Sequence, residues 1–333
     1  MDRYYTRVCN FYYGKKSKLL VKKKKTLPLS GNKEISFDHI EIISRKLKKR
    51  IPINRLNILP KLLKKKISLD LKNIASKKKN FANLNFQKIP NIMGVLNITP
   101  DSFSDGGKFY KTKSATQHAK MMLTQGAHII DVGGESTRPG TQTISEKEEC
   151  RRVIQTVKQI SKIKKCAVSI DTRKSQVMKE AVKAGAKIIN DVSALDFDLN
   201  SLCLVSQLKK PIILNHSQGT PETMQKNPNY QNVLIDIYDY FETKIKQLEK
   251  KGFPKSKIIL DPGIGFGKNV EHNLTLMSKI SFFHSLGCPL MLGPSRKSFI
   301  GKIMGKSDSI SRLGGTISSV IIGANQGVQF FRV

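Results

Sequence analysis

Ile92-Met93-Gly94-Val95-Leu96 runs straight into Asn97-Ile98-Thr99-Pro100-Asp101-Ser102-Phe103-Ser104-Asp105-Gly106-Gly107. A five-residue apolar run reads as a buried strand, and the polar, glycine-ended stretch behind it reads as a loop. A helix-length amphipathic segment, 114–125, comes next, and the unit then repeats. Strands are expected at 92–96, 127–132, 167–170, 187–190, 211–214, 257–260, 288–292 and 328–331. Helices are expected near 114–125, 145–162, 175–184, 198–208, 230–251, 270–282 and 310–325. Such alternation implies parallel strands joined by right-handed crossovers. Eight strands between residues 91 and 333 match a (β/α)₈ TIM-type barrel, usually about 250 residues. A doubly wound sheet would carry Gly-x-Gly-x-x-Gly after its first strand, and none stands there. The chain stops at Val333, in or just after the eighth strand. The barrel is therefore expected to lack its last helix, and the chain is read as a fragment.

The rhythm breaks near residue 90, which divides the chain into a basic N-terminal extension with its linker (1–90) and the barrel (91–333). In the first part apolar residues are scattered among lysines, and Pro28, Pro52 and Pro60 interrupt any long helix. Segment 35–47 mixes strand-like and helix-like spacing and is expected as a small appendage, with 72–88 as a linker. Every motif lies beyond residue 90, so the extension is expected to be dispensable for chemistry.

The formal net charge is +34. Residues 1–90 hold 25 Lys/Arg against 5 Asp/Glu, a net of +20, and the rest hold 34 against 20, a net of +14. A surplus of this kind can mark nucleic-acid or membrane-surface binding. The lysine runs at 22–25, 64–66 and 77–79 lack the interleaved aromatics on which bases stack, so no specific nucleic-acid partner is expected. Attraction of anionic substrates is the more economical reading. No apolar run nears the ~20 residues of a membrane span, and no apolar stretch follows Lys22–Lys25 as in a secretory signal. Cys9, Cys150, Cys166, Cys203 and Cys288 show no CxxC spacing and read as reduced thiols in a cytoplasmic protein.

Barrel enzymes gather their working residues where strands end, and the polar residues gather there too. The ends carry Asn97 to Gly107, Asp131 to Gly140, Asp171-Thr172-Arg173-Lys174, Asn190-Asp191, Asn215-His216-Ser217, Asp261 to Lys268 and Gly293 to Ser298. One or two could be helix caps; all seven are harder to explain so. Asp171-Thr172 reads either as a cap for the helix at Ser175 or as site residues, and His216 either as a core histidine or as a ligand. The glycines of 262–267 suit plain turns or close approach of backbone to a flat ligand. Ser295-Arg296-Lys297-Ser298 opens a helix, where basic residues oppose the dipole unless an anion is bound. Asn97 and Asp101 offer hard oxygens for Mg²⁺ held with a diphosphate. Asp171, Asn190 and Asp261 can ring a heterocycle, while Arg138, Lys297 and Arg332 with Asn97 can hold a diphosphate. Phe103, Pro139 and Phe266 can pack an aromatic second substrate.

On Asn97–Gly107, Glu135–Gly140, Gly219–Gln225, Asp261–Lys268 and Ser295–Gly301, the chain from about residue 91 onward resembles the dihydropteroate synthases. The resemblance implies a transferase that condenses 6-hydroxymethyl-7,8-dihydropterin diphosphate with 4-aminobenzoate in folate biosynthesis. It implies pterin contacts from Asp171, Asn190, Asp261 and Lys297, the residues that would carry catalysis. It implies Mg²⁺ on Asn97 and diphosphate contacts from Thr137 and Arg332. An aminobenzoate pocket open to sulfonamides would be made by Phe103, Pro139, Phe266, Lys297 and Ser298. It also implies a homodimer. Two features depart from the family. Asn215-His216-Ser217 stands where Met-His-Met is usual, and the chain ends at Arg332-Val333 where the family continues with His-Asp.

Three other readings compete. They are a pterin-binding module without catalysis, a pterin-binding methyltransferase domain, which would need no diphosphate pocket, and a nucleic-acid binder resting on residues 1–90 alone.

Overall fold

The strand rhythm is realised as a ring. The structure, a computed structural model, describes residues 3–87, 90–99, 108–136, 141–219, 227–305 and 308–333. After β1 (Tyr5–Tyr13), α1 (Gly14–Lys22), β2 (Leu27–Leu29), β3 (Asn32–Ile43), β4 (Lys48–Pro52) and α2 (Lys61–Ala75) come β5 (Asn91–Asn97), α3 (Lys108–Thr124), β6 (Ile129–Gly133), α4 (Glu146–Ile160), β7 (Ala167–Asp171) and α5 (Ser175–Lys183). They are followed by β8 (Ile188–Asp191), α6 (Ser201–Leu208), β9 (Ile212–Asn215), α7 (Val233–Lys250), β10 (Ile258–Asp261), α8 (Val270–Ser278), β11 (Met291–Leu292), α9 (Ser298–Met304), α10 (Leu313–Asn325) and β12 (Phe330–Arg332). The eight strands β5–β12 pair in parallel in the order β10-β9-β8-β7-β6-β5-β12-β11. A parallel bridge between Leu260 and Leu290 closes the ring.

Side chains alternate across a strand, and this decides what the barrel contains. Each strand sends one apolar inward residue into a shared floor: Met93, Ile129, Ala167, Ile188, Ile213, Ile259, Met291 and Phe330 pack into one buried cluster. Two or four residues further on, the same inward face carries Asp131, Asp171, Asn190, Asn215, Asp261 and Arg332. The outward residues between them, such as Ile130, Val132, Ile170 and Leu214, are buried under the helices in a second, larger cluster. One period-2 pattern thus lays an apolar floor under a polar rim.

The extension is folded. β1 (Tyr5–Tyr13), β2 (Leu27–Leu29), β3 (Asn32–Ile43) and β4 (Lys48–Pro52) make an antiparallel sheet with β3 pairing all three others. α1 (Gly14–Lys22) links β1 to β2, and α2 (Lys61–Ala75) lays Ile67, Leu71 and Ile74 on the sheet. Val8, Phe37, Ile40 and Ile42 complete that core. Tyr5 crosses to the barrel, edge-on to Tyr238 at 5.1 Å between centroids, with its hydroxyl 2.8 Å from Asp239 Oδ1. Ser281 Oγ donates to the Val8 carbonyl and Asn73 Nδ2 to the Ser285 carbonyl.

The linker expected over 72–88 takes another form. Its first residues end α2, and Leu84 and Phe86 then insert into the apolar floor. Phe86 is 1% exposed and meets Phe330 edge-on at 5.1 Å. The physical reason is geometric. An eight-stranded barrel is just wide enough inside to be filled by side chains, and the Phe86 ring supplies part of that filling beside Phe330.

Candidate active site

Above the floor lies a cavity of about 660 Å³, lined by Asn97, Asp171, Asn190, Asn215, Asp261, Phe266, Lys297, Ser298 and Arg332 among others. Of the expected site residues, Asn97, Asp171, Asn190, Asp261, Phe266, Lys297, Ser298 and Arg332 therefore share one site. Phe103, Thr137, Arg138 and Pro139 lie outside the described residues.

Arg332, at the end of β12, binds two carboxylates across the barrel. Its Nη2 lies 2.5 Å from Asp171 Oδ2 and its Nε 2.7 Å from Asp131 Oδ2. Asn190 Nδ2 donates to the same Asp131 oxygen at 3.0 Å. Asp131 is fully buried beneath the rim and orients both groups. It stood out in the sequence only as a strand-end acid. Its position two residues after an inward isoleucine is the signal that could have given it a role.

Burial disfavours charge here. It pushes Asp171 up to about 7, against the opposing pull of Arg332. It raises Asp261 as well, opposed by the Gly263 amide, which donates to Asp261 Oδ1 at 2.9 Å. Burial and then the Arg332 guanidinium lower Lys297 to about 8. Burial also works against the charge on Arg332, but Asp171 and Asp131 outweigh it and keep the guanidinium protonated.

Lys297 Nζ sits 3.7 Å from the centroid of Phe266, a cation–π contact. The loop that presents Phe266 is shaped by glycines. Gly263 has φ +69°, and a Cβ there would lie 1.9 Å from the His216 carbonyl oxygen. Gly265 has φ +80°, and a Cβ there would press on Lys297 Cδ at 2.9 Å. Close approach, and not turn formation alone, demands glycine at these positions. Lys268 anchors the loop from behind, donating to the Phe266 carbonyl at 2.8 Å and to the His216 carbonyl at 3.2 Å. His216 is 7% exposed and stacks edge-on against Tyr240 at 4.9 Å. It is a core histidine, and burial holds its pKa well below the usual value.

Outside the cavity lining, Glu135 accepts from Arg173 and Lys174, each at 2.5 Å, and Lys174 also reaches Glu149 Oε2 at 2.6 Å. All four are buried. Burial works to raise Glu135, yet Lys174 and Arg173 lower it overall. The cluster ties the segment after β6 to the end of β7 and to α4. The cap reading of Asp171 does not hold, since its carboxylate is engaged by Arg332; Ser175 N instead bonds Asp198 Oδ2 at 2.7 Å.

A TIM-type barrel with a ring of polar residues at the C-terminal ends of its strands has the layout of the barrel enzymes, which place their sites there. The profile of the pterin-binding enzymes matches residues 93–333. Dihydropteroate synthase of Escherichia coli K12 is 44% identical over 244 residues, covering 73% of this chain and 86% of that one. The Yersinia pestis dihydropteroate synthase, solved with a sulfonamide drug, aligns with a TM-score of 0.70 at 41% identity over 75% of this chain and 90% of its own. The Xanthomonas albilineans dihydropteroate synthase, solved with 4-aminobenzoic acid, aligns with a TM-score of 0.70 at 36% identity over 75% and 89%. The chain belongs to the pterin-binding enzyme family and, within it, to the dihydropteroate synthases.

Proposed function

We propose that the chain condenses 6-hydroxymethyl-7,8-dihydropterin diphosphate with 4-aminobenzoate, giving 7,8-dihydropteroate and diphosphate. The observation that carries this reading is the ring of Asp171, Asn190, Asp261, Lys297 and Arg332 around one cavity. Acceptors for heterocycle N–H groups and cations for a diphosphate face each other there. Asp171, Asn190 and Asp261 hold the pterin. Arg332 and Lys297 draw on the diphosphate as the methylene C–O bond breaks, and Asp171 stabilises the cation left on the pterin. The arylamine nitrogen then bonds to that carbon and loses a proton. Fixed charges placed where charge develops are the main source of rate. Thr137 and Arg138 serve the diphosphate end. Phe103, Pro139, Phe266 and Ser298 enclose the aminobenzoate, the part that sulfonamides copy.

Asn97 lines the cavity and carries a hard amide oxygen. One such oxygen suits Mg²⁺, which keeps most of its water and is shared with substrate phosphates. When bound, Mg²⁺ would offset charge on the departing diphosphate, and Asn97 would hold it. Five free cysteines suit a reducing, cytoplasmic setting. Leu313, Ile317 and Ile321 expose an apolar stripe along α10, which supports a homodimer. The test is diphosphate release from the purified chain. It should require the pterin diphosphate, 4-aminobenzoate and Mg²⁺ together; release independent of 4-aminobenzoate would overturn the reading.

A further inference from the structure

Among the polar groups of the cavity, Asn215 has a property that Asp171, Asn190 and Asp261 lack. Its residue is 6% exposed, and its Oδ1 is buried without a hydrogen-bond partner among the described residues. An unmet buried acceptor is costly. Asp131 Oδ1 and Ser169 Oγ share that condition, but neither residue lines the cavity, whereas Asn215 does. Its position follows from register. Asn215 pairs with Asp261 across β9 and β10, and both follow an inward isoleucine, Ile213 and Ile259. The amide end of Asn215 bonds the Asp261 side chain, which leaves the oxygen end to face a ligand. Gly263 keeps that side open, since a Cβ there would stand 3.1 Å from Asn215 Oδ1.

We infer that Asn215 is a specificity-determining contact of the heterocycle site, its Oδ1 accepting one hydrogen of the 2-amino group of a 2-amino-4-oxo-pyrimidine edge. This deepens the proposed function and rests on it. Asp261 takes N3–H and the other amino hydrogen, as a carboxylate accepts from an amidine-like edge. Two acceptors side by side then demand an amino group at that position. A 2-oxo or unsubstituted heterocycle leaves Asn215 Oδ1 unpaired, and a site built this way rejects such a ligand.

The experiment compares two probes, 6-hydroxymethylpterin and its analogue lacking the 2-amino group, by calorimetric titration of the full chain. In Asn215→Leu, affinity for 6-hydroxymethylpterin should fall about tenfold, equivalent to ~1.4 kcal/mol, while affinity for the analogue stays as in the wild type. In turnover the change should appear in KM for the pterin diphosphate and not in KM for 4-aminobenzoate. Asn215→Met, unbranched and of suitable volume, makes the same comparison if the leucine variant does not fold. Undiminished pterin affinity, or an equal loss for both probes, would overturn the assignment. A wild-type chain that binds neither probe would instead overturn the proposed function itself.

Discussion

Arg332 spans Asp171 and Asp131 with one guanidinium, at 2.5 Å and 2.7 Å, and so joins β12 to β6 and β7 through charge. Breaking a buried pair by removing one partner leaves the other charge uncompensated. Asp171 is therefore held at the rim by a group that is itself assigned to the diphosphate. In the proposed reaction a departing diphosphate would compete with Asp171 for the same cation.

Asp171→Asn and Lys297→Ala should each lower kcat about 10²–10³-fold, the usual cost of removing one group that stabilises developing charge. Steady-state diphosphate release checks this, with circular dichroism as a control for folding. Near-wild-type kcat in either variant contradicts the assigned role.

The pH profile of kcat/KM should be bell-shaped. Activity rises as Asp171 ionises near pH 7 and falls as Lys297 loses its proton near pH 8. Lys297→Arg keeps its charge at every accessible pH, so its alkaline limb should move up and out of the range while the acid limb stays. An unmoved alkaline limb would assign that limb to another group.

Lys78 is 6% exposed, donates to the Asn73 carbonyl, and is lowered to about 8 by burial. Its unfolded value is about 10.4. Below pH 8 both states are protonated and the fold bears the full cost of the buried charge, about 3 kcal/mol. Between pH 8 and about 10.4 the unfolded chain binds more protons, so stability rises with pH. Lys78→Met should raise Tm at pH 7, with the gap to wild type closing towards pH 10. A gap that is constant with pH would show that the charge is not the cause.

Phe86→Ala should cost about 3–5 kcal/mol, as a buried aromatic does when truncated. Thermal melting measures this, and KM for both substrates should stay within about twofold because the floor lies away from the rim. The expected dispensability of the extension for chemistry does not extend to stability. Deleting residues 1–87 removes Phe86 and Leu84 with it and should lower Tm more than Phe86→Ala alone. Equal stability without the extension would show that the floor seals by other means.

Most of the barrel was legible because its code is local. Ile129-x-Asp131-x-Gly133 and Ala167-x-Ser169-x-Asp171 state both the strand and the inward face, and the polar strand ends marked the cavity. The extension was opaque for physical reasons. β3 is buried at every position from Ile40 to Ile43, so alternation is lost where a strand is covered on both faces. Lys48-Lys49-Arg50 on β4 looks like a solvated charge run, and charged residues suit an outer strand pairing with one neighbour. Phe86 sits with Phe81 and Leu84 in a short segment rich in lysine and asparagine. Nothing in its neighbourhood announces a partner as distant as Phe330. Asn215 was visible as a residue out of pattern, but its unpaired oxygen appears only once the strands are in register.

The ring made by Phe86 and Phe330 also has a consequence in time. The N-terminal sheet and α2 bring their own core and consist of early residues, so they can form while the ribosome is still at work. The plug is made soon after them, but the strand it meets is the last of the eight. While the strands between them are made, an aromatic side chain waits beside an unfinished floor, and a long-range contact, Phe86 with Phe330, seals it. Barrel closure should be the slow step of folding.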